Sequence, residues 1–222
     1  MNKLRELIEE FRAVFRGRKV LDSLLPPLLF LLLNAWLGLG WAAAGALLMA
    51  ATFALWRLAR HQPPGYALGG LGGVALAILL ALLLGRAEGY FLLGILGNGG
   101  TLLLTLASVL LRRPLVAWTS LLARRWPRDW YWHPRVRPAY SEVTLAWALF
   151  FALRLALQLS LFQGQATLLG WVQVLTGWPA TIVLLVVSYL YGTWRLRTLK
   201  GPSVDEFKAG AAPPWNGQRR GF

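Results

Sequence analysis

Hydrophobic positions along the chain fall into two rhythms. Over residues 1–22, Leu4, Leu7, Ile8, Phe11, Val14 and Phe15 recur at helical spacing, while Lys3, Arg5, Glu6, Glu9, Glu10 and Arg12 take the opposite face. This pattern predicts an amphipathic helix lying in a membrane interface, with docking on a protein partner as the other use of such a face. A cleaved signal peptide is not expected, because three Glu stand where such a peptide carries none. Beyond residue 22 the rhythm gives way to continuous apolar runs at 24–39, 40–56, 66–84, 97–111, 143–162 and 178–194. A helix needs about 20 apolar residues to cross a bilayer core. The expected fold is therefore all-α, a polytopic membrane helix bundle of about six transmembrane helices with an N-terminal amphipathic interfacial helix.

Breakers locate the connections. Pro26 and Pro27 suit the first turn of the first span, and the uncharged Leu37-Gly38-Leu39-Gly40 junction predicts a tight hairpin with Trp36 and Trp41 at the interface. Two apolar stretches, 90–97 and 166–177, are too short to span and read as re-entrant or interfacial. Each ends at a glycine followed by a full helix, at Gly97-Asn98-Gly99-Gly100 and at Gly177-Trp178-Pro179. Three regions result: the interfacial helix 1–22, a transmembrane domain 23–197, and a Gly-, Pro- and charge-rich segment 198–222 that reads as a mobile cytoplasmic tail.

Composition supports the same solvent. Of 222 residues, 57% are hydrophobic and 14% charged, against about 45–50% and 25% in soluble domains. Net charge is +14, and its placement matters more than its size. With both termini inside, six basic residues precede the first span, two (Arg57, Arg60) join the second to the third, seven join the fourth to the fifth, and six follow the sixth. Arg86 alone falls outside, and Arg154 lies within a span. Basic residues near span ends resist translocation, so the expected location is the bacterial inner membrane, multi-pass, with cytoplasmic termini.

The connection 112–142 is basic and aromatic. Arg112, Arg113, Arg124, Arg125 and Arg128 alternate with Trp118, Trp126, Trp130, Tyr131 and Trp132, a mixture suited to the headgroup layer, where guanidinium groups meet lipid phosphate. Membrane lipids with anionic headgroups on the cytoplasmic side are the expected partners, with membrane proteins or a second copy of the chain as further ones. Nucleic acid is not expected.

Arg154, about eleven residues into the fifth span, is the charge that topology leaves unexplained, since such a group should face a bundle interior or a wet cavity. With Gln158 one turn along and the amides Asn98, Asn34 and Gln173, it could form a polar pocket for an anion. It could equally be held by backbone carbonyls and amides. No Asp or Glu lies deep in a span, which weakens proton-coupled transport. His61 and His133 have no partners at ligand spacing and the chain has no Cys, so no metal, haem or other cofactor is expected, and no catalytic residues are assigned.

Residues 145–151, Leu-Ala-Trp-Ala-Leu-Phe-Phe, preceded by Pro138-Ala-Tyr-Ser141 and followed by Leu161-Phe162, resemble the signature helix of the bacterial intracellular septation protein A family. Leu111-Arg-Arg-Pro-Leu-Val116 resembles its basic segment, and residues 21–57 its N-terminal hairpin. A related family of uncharacterised bacterial integral membrane proteins is more similar, through Phe151-Ala-Leu-Arg154 with Gln158, Tyr90-Phe-Leu and Gly177-Trp178-Pro179. Septation-type members usually lack an Arg at the position of Arg154. The resemblance implies an integral membrane structural or interaction protein of the cell envelope, without enzymatic activity. The alternative is a small channel or carrier for an anion or lipid built around Arg154.

Overall fold

The computed structural model describes residues 19–218 and 221–222, so the expected interfacial helix 1–22 lies outside the described residues except for its last four positions. Regular structure among the described residues is helical: α1 (Lys19–Leu37), α2 (Leu39–Ala59), α3 (Pro64–Leu84), a 3-10 turn (Ala87–Phe91), α4 (Leu92–Leu110), α5 (Leu115–Arg124), α6 (Arg128–Trp132), α7 (Arg137–Leu161), α8 (Ala166–Leu175), α9 (Trp178–Thr198) and α10 (Val204–Lys208). Among the described residues, five stretches are long and apolar enough to cross a membrane: Leu39–Ala59, Ala67–Leu84, Ala87–Leu110, Arg137–Leu161 and Ala166–Thr198. The first expected span, 24–39, corresponds to α1, whose apolar stretch among the described residues, Leu25–Leu37, is shorter.

The chain divides into two compact units, Met1–Gly94 with Gln158–Trp178, and Ile95–Leu157 with Pro179–Phe222. In the first unit, α1 and α2 form the expected hairpin about Gly38, whose φ of 84° is open to glycine at little cost. Trp36 and Trp41 flank the turn, both largely exposed. Ala42, Ala46, Ala50 and Ala54 are buried in one row along α2. Small residues at this spacing let helix backbones approach closely, which in lipid is where packing energy comes from. Gly45 sits against Leu33, and Gly170 of α8 against Leu31 of α1. After α3 the chain reverses at Gly85, left-handed at φ 62°, and the 3-10 turn packs back so closely that a Cβ at Gly89 would stand 2.7 Å from the Ala81 Cα. Tyr90 of this turn stacks on Phe30, ring centroids 4.2 Å apart.

In the second unit, helix directions follow from paired contacts. Trp147 Nε1 donates to Ser188 Oγ at 3.0 Å, and Arg195 meets Glu142 at 2.7 Å, so α7 and α9 run antiparallel. Asn98 Nδ2 donates to the Phe151 carbonyl at 3.1 Å, and the Val116 N–H, just past the end of α4, donates to the Thr144 hydroxyl near the start of α7 at 3.3 Å, which makes α4 antiparallel to α7 as well. Arg112 and Arg113 after α4, Arg135 and Arg137 before and in the first turn of α7, and Arg195 and Arg197 late in α9 therefore gather at one end of this unit.

Three expectations change. Pro26 and Pro27 stand inside α1, not in its first turn, because the helix already begins at Lys19; the carbonyls of Asp22 and Ser23 lose their usual donors there. The break expected at Gly97 to Gly100 is absent, since α4 runs from Leu92 to Leu110. A glycine in a helix costs about 1 kcal/mol relative to alanine, whereas an unpaired backbone group in lipid costs several, so the helix persists. The break at Gly177 is present: α8 ends at Leu175 and α9 starts at Trp178. Finally, the segment expected to be a mobile tail packs on the aromatic core of the second unit through Pro202, Val204 and Phe222.

Candidate functional site

The basic and aromatic connection is a folded platform with its own core. Pro114 starts α5, and the Ser108 hydroxyl accepts from the Leu115 N–H at 3.0 Å, closing the turn from α4. Pro127 starts α6. These short helices bury Trp130, Tyr131 and Tyr140 at 0% exposure, together with Ala117, Val136, Val143 and Leu196. Trp130 meets Tyr131 edge-on at 5.1 Å and Trp126 at 5.3 Å. The Tyr131 and Ser120 hydroxyls share a hydrogen bond of 3.2 Å, and burial raises the Tyr131 pKa above the ordinary 10.0, so it remains a phenol.

Around this core the arginines are exposed and several lie over indole faces. Arg113 sits 4.9 Å from the Trp132 centroid, Arg124 5.0 Å from Trp126, and Arg128 5.4 Å from Trp118. Stacking fixes the guanidinium plane while leaving its N–H edge for an oxyanion. Arg112 and Arg125 are exposed too, and both have positive φ, 56° and 53°, as left-handed residues closing α4 and α5. The five arginines named from the sequence thus belong to one platform.

Residues 199–218 and 221–222 complete it, which the segment's average polarity does not reveal. Trp130 Nε1 donates to the Pro202 carbonyl at 2.8 Å. Ser203 and Glu206 form a reciprocal capping box at the start of α10, and Glu206 also accepts from the Asn216 backbone at 2.9 Å. Its carboxyl is held down at about 2, chiefly by the backbone N–H groups of Asn216 and Ser203. Phe222 stacks on Tyr140 at 4.3 Å and fits against Gly192, where a Cβ would collide with the ring. Trp215 reaches His133 edge-on at 5.3 Å. Burial, with the nearby Arg135, lowers the His133 pKa below 6.5, consistent with its neutral Nδ1 accepting from the Arg135 N–H at 3.2 Å. The signal was present in sequence as Ser203-x-x-Glu206, the capping-box pattern, and as three aromatics, Phe207, Trp215 and Phe222, in an otherwise polar segment.

Glu142, at the platform end of α7, accepts two hydrogen bonds from Arg195, both 2.7 Å, and one from the Tyr191 hydroxyl at 2.8 Å. The residues expected around Arg154 are divided. Asn98, buried, and Arg154, half-buried, belong to the second unit; Asn34, Gln158 and Gln173 belong to the first. Gln158 is fully buried, and Gln173 packs its amide against Gly94, where a Cβ would lie 2.9 Å from Nε2. Among the described residues no group of three or more His, Cys, Asp or Glu could hold a metal ion.

Long apolar helices and a folded basic and aromatic platform define a polytopic helical membrane protein. A family model described as protein of unknown function (DUF3159) matches residues 16–197, and the chain belongs to that family. No curated protein and no solved structure matches the chain.

Proposed function

We propose that this chain is an integral membrane structural or interaction protein of the bacterial cell envelope, non-catalytic and septation-protein-like. In this reading it sits in the inner membrane with the platform on the cytoplasmic side, against anionic headgroups. The observation that carries the reading is the platform itself: arginines stacked on indoles and presented outward from a closed aromatic core. That construction suits a contact surface. Each basic residue near an anionic leaflet contributes about 1 kcal/mol. The resemblance of residues 145–151 to the septation signature supplies the envelope role.

The test combines a binding readout with a cellular one. A photo-crosslinking residue at Trp118 or Arg128, both on the platform, should capture anionic lipid or a membrane protein, and neutralising Arg112, Arg113, Arg125 and Arg128 together should abolish capture of lipid. A fluorescent fusion should concentrate at the division site; an even distribution around the cell would remove the septation element. The carrier alternative predicts anion or lipid flux in proteoliposomes that Arg154→Gln abolishes. Flux of that kind would overturn the structural reading.

A further inference from the structure

We infer that a cavity beside the platform is a specific site for one acyl chain of an anionic phospholipid, with the headgroup held by Arg124. This deepens the platform reading and rests on it. The cavity, of about 520 Å³, lies within the second unit between α4, α5, α7 and α9, a size typical of small-molecule sites.

Its chemistry follows from five of the six hydroxyls on its wall, which are already committed, Tyr189 being the sixth. Thr101 donates to the Gly97 carbonyl at 2.8 Å, Thr105 to that of Thr101 at 2.6 Å, and Thr119 to that of Val116 at 2.9 Å. Ser188 accepts from Trp147, and Ser120 is bonded to Tyr131. Threonines so engaged have only a methyl group left to offer, and Leu115, Val116, Phe151 and Leu185 supply the rest of an apolar wall. Arg124 is the one lining residue with a charged side chain. An apolar slot with a single cation at its rim is complementary to a hydrocarbon chain bearing an acidic head.

Position favours a bilayer lipid over a free amphiphile. Thr105, Trp147 and Ser188 each lie within about ten residues of the basic end of their helices, which at 1.5 Å per residue is about 15 Å, the depth of one leaflet's chains. Arg124, at the end of α5, is on the platform where headgroup phosphates would stand. Its Nε donates to the Phe222 main-chain oxygen at 2.9 Å, and Phe222 forms part of the wall, so the folded tail both shapes the slot and orients the guanidinium. Its two terminal nitrogens match a phosphate.

The test uses the full chain in phosphatidylcholine vesicles doped with phosphatidylglycerol carrying a diazirine in one acyl chain, with adducts mapped by mass spectrometry. Labelling should concentrate on Val116 and Leu185. Ala123→Trp and Thr119→Trp, two separate ways to fill the slot from exposed lining positions, should remove most of it. Arg124→Gln should reduce it about fivefold, the equivalent of the 1 kcal/mol assigned to one basic residue near an anionic surface. Equal labelling by a diazirine phosphatidylcholine, indifference to both filling variants, or displacement by an equimolar free fatty acid would each overturn the assignment. Labelling at Leu122, exposed on the same helix, reports the platform's contact with lipid in general. In the unsubstituted chain, absence of labelling at Leu122 as well would strike the platform reading; absence confined to Val116 and Leu185 strikes only the slot.

Discussion

Trp130→Phe should loosen residues 203–218 from the platform without unfolding the platform. The indole is fully buried, and its Nε1 reaches the Pro202 carbonyl, itself buried, at 2.8 Å. Phenylalanine keeps a ring among Trp126, Tyr131 and Tyr140 but removes that donor. A typical hydrogen bond contributes about 0.5–1.5 kcal/mol net, and leaving its buried acceptor unpaired costs about 1–3; roughly 1–2 kcal/mol is expected here, a factor of about 5–30 in local opening. Trp130→Ala, which also leaves a cavity, should cost about 3–5 kcal/mol and release the segment altogether. Hydrogen exchange read on peptides is the assay. The Phe207, Ala209, Ala211 and Asn216 amides, all hydrogen-bonded within the segment, should exchange about 5–30 times faster in Trp130→Phe, with α7 unchanged. Wild-type exchange over 203–218 in a folded Trp130→Phe protein would refute the idea that Trp130 fastens this segment.

Gly89→Ala should destabilise the first unit more than Gly170→Ala, because its Cβ would meet the backbone of Leu80 and Ala81, whereas at Gly170 it meets only the Leu31 side chain, which can turn away; thermal unfolding in detergent orders the two, and the reverse order would discredit the packing. The fastening made by Glu206 should be complete above the ordinary carboxylate pKa of 4.5 and be lost as pH falls toward about 2, since its folded-state pKa is depressed; amide shifts of residues 203–216 should follow that titration, and a midpoint at 4.5 would contradict it. Gly192→Ala should expel the Phe222 ring from Tyr140, detected as faster proteolysis of the last residues, with no change if the ring is not seated there. Single cysteines at Gly38 and Gln165 should react with an impermeant thiol reagent from outside and ones at Arg60 and Pro134 should not; all four positions are exposed, so the opposite pattern would invert the proposed orientation.

Spans were legible because lipid imposes a single requirement, apolar side chains with backbone groups paired in helix, and hydropathy reports it directly. Boundaries were less so. Glycine clusters read as breaks because in water they are breaks, yet Gly97 to Gly100 remain helical where no water can take up the freed backbone groups. The same logic explains Pro26 and Pro27: the sequence shows what proline disfavours but not where the helix has already begun. The sidedness of the arginines was legible as a count, and the antiparallel contacts of α7 with α4 and α9 turn that count into geometry for the second unit.

The platform shows why part of the site was not readable. Its arginines and aromatics lie in one stretch, so composition alone identified them. The residues that close it come from about 60 to 100 positions further on, Pro202, Phe222 and the Ser203 to Glu206 cap, in a segment whose average polarity resembles a tail. Average polarity was the wrong measure there. What decides whether such a segment folds is a few buried anchors working against backbone entropy of about 1–2 kcal/mol per residue, and here Phe222 on Tyr140, Val204 in the aromatic core and the Trp130 to Pro202 hydrogen bond are those anchors. Because the segment also forms a wall of the cavity and binds Arg124, releasing it should weaken selection of an anionic lipid even when every arginine on the platform is intact. Trp130→Phe and Arg124→Gln therefore ought to reduce the same labelling at Val116 and Leu185 by different routes. If loosening the segment leaves that labelling untouched, the slot is shaped by α4, α5, α7 and α9 alone.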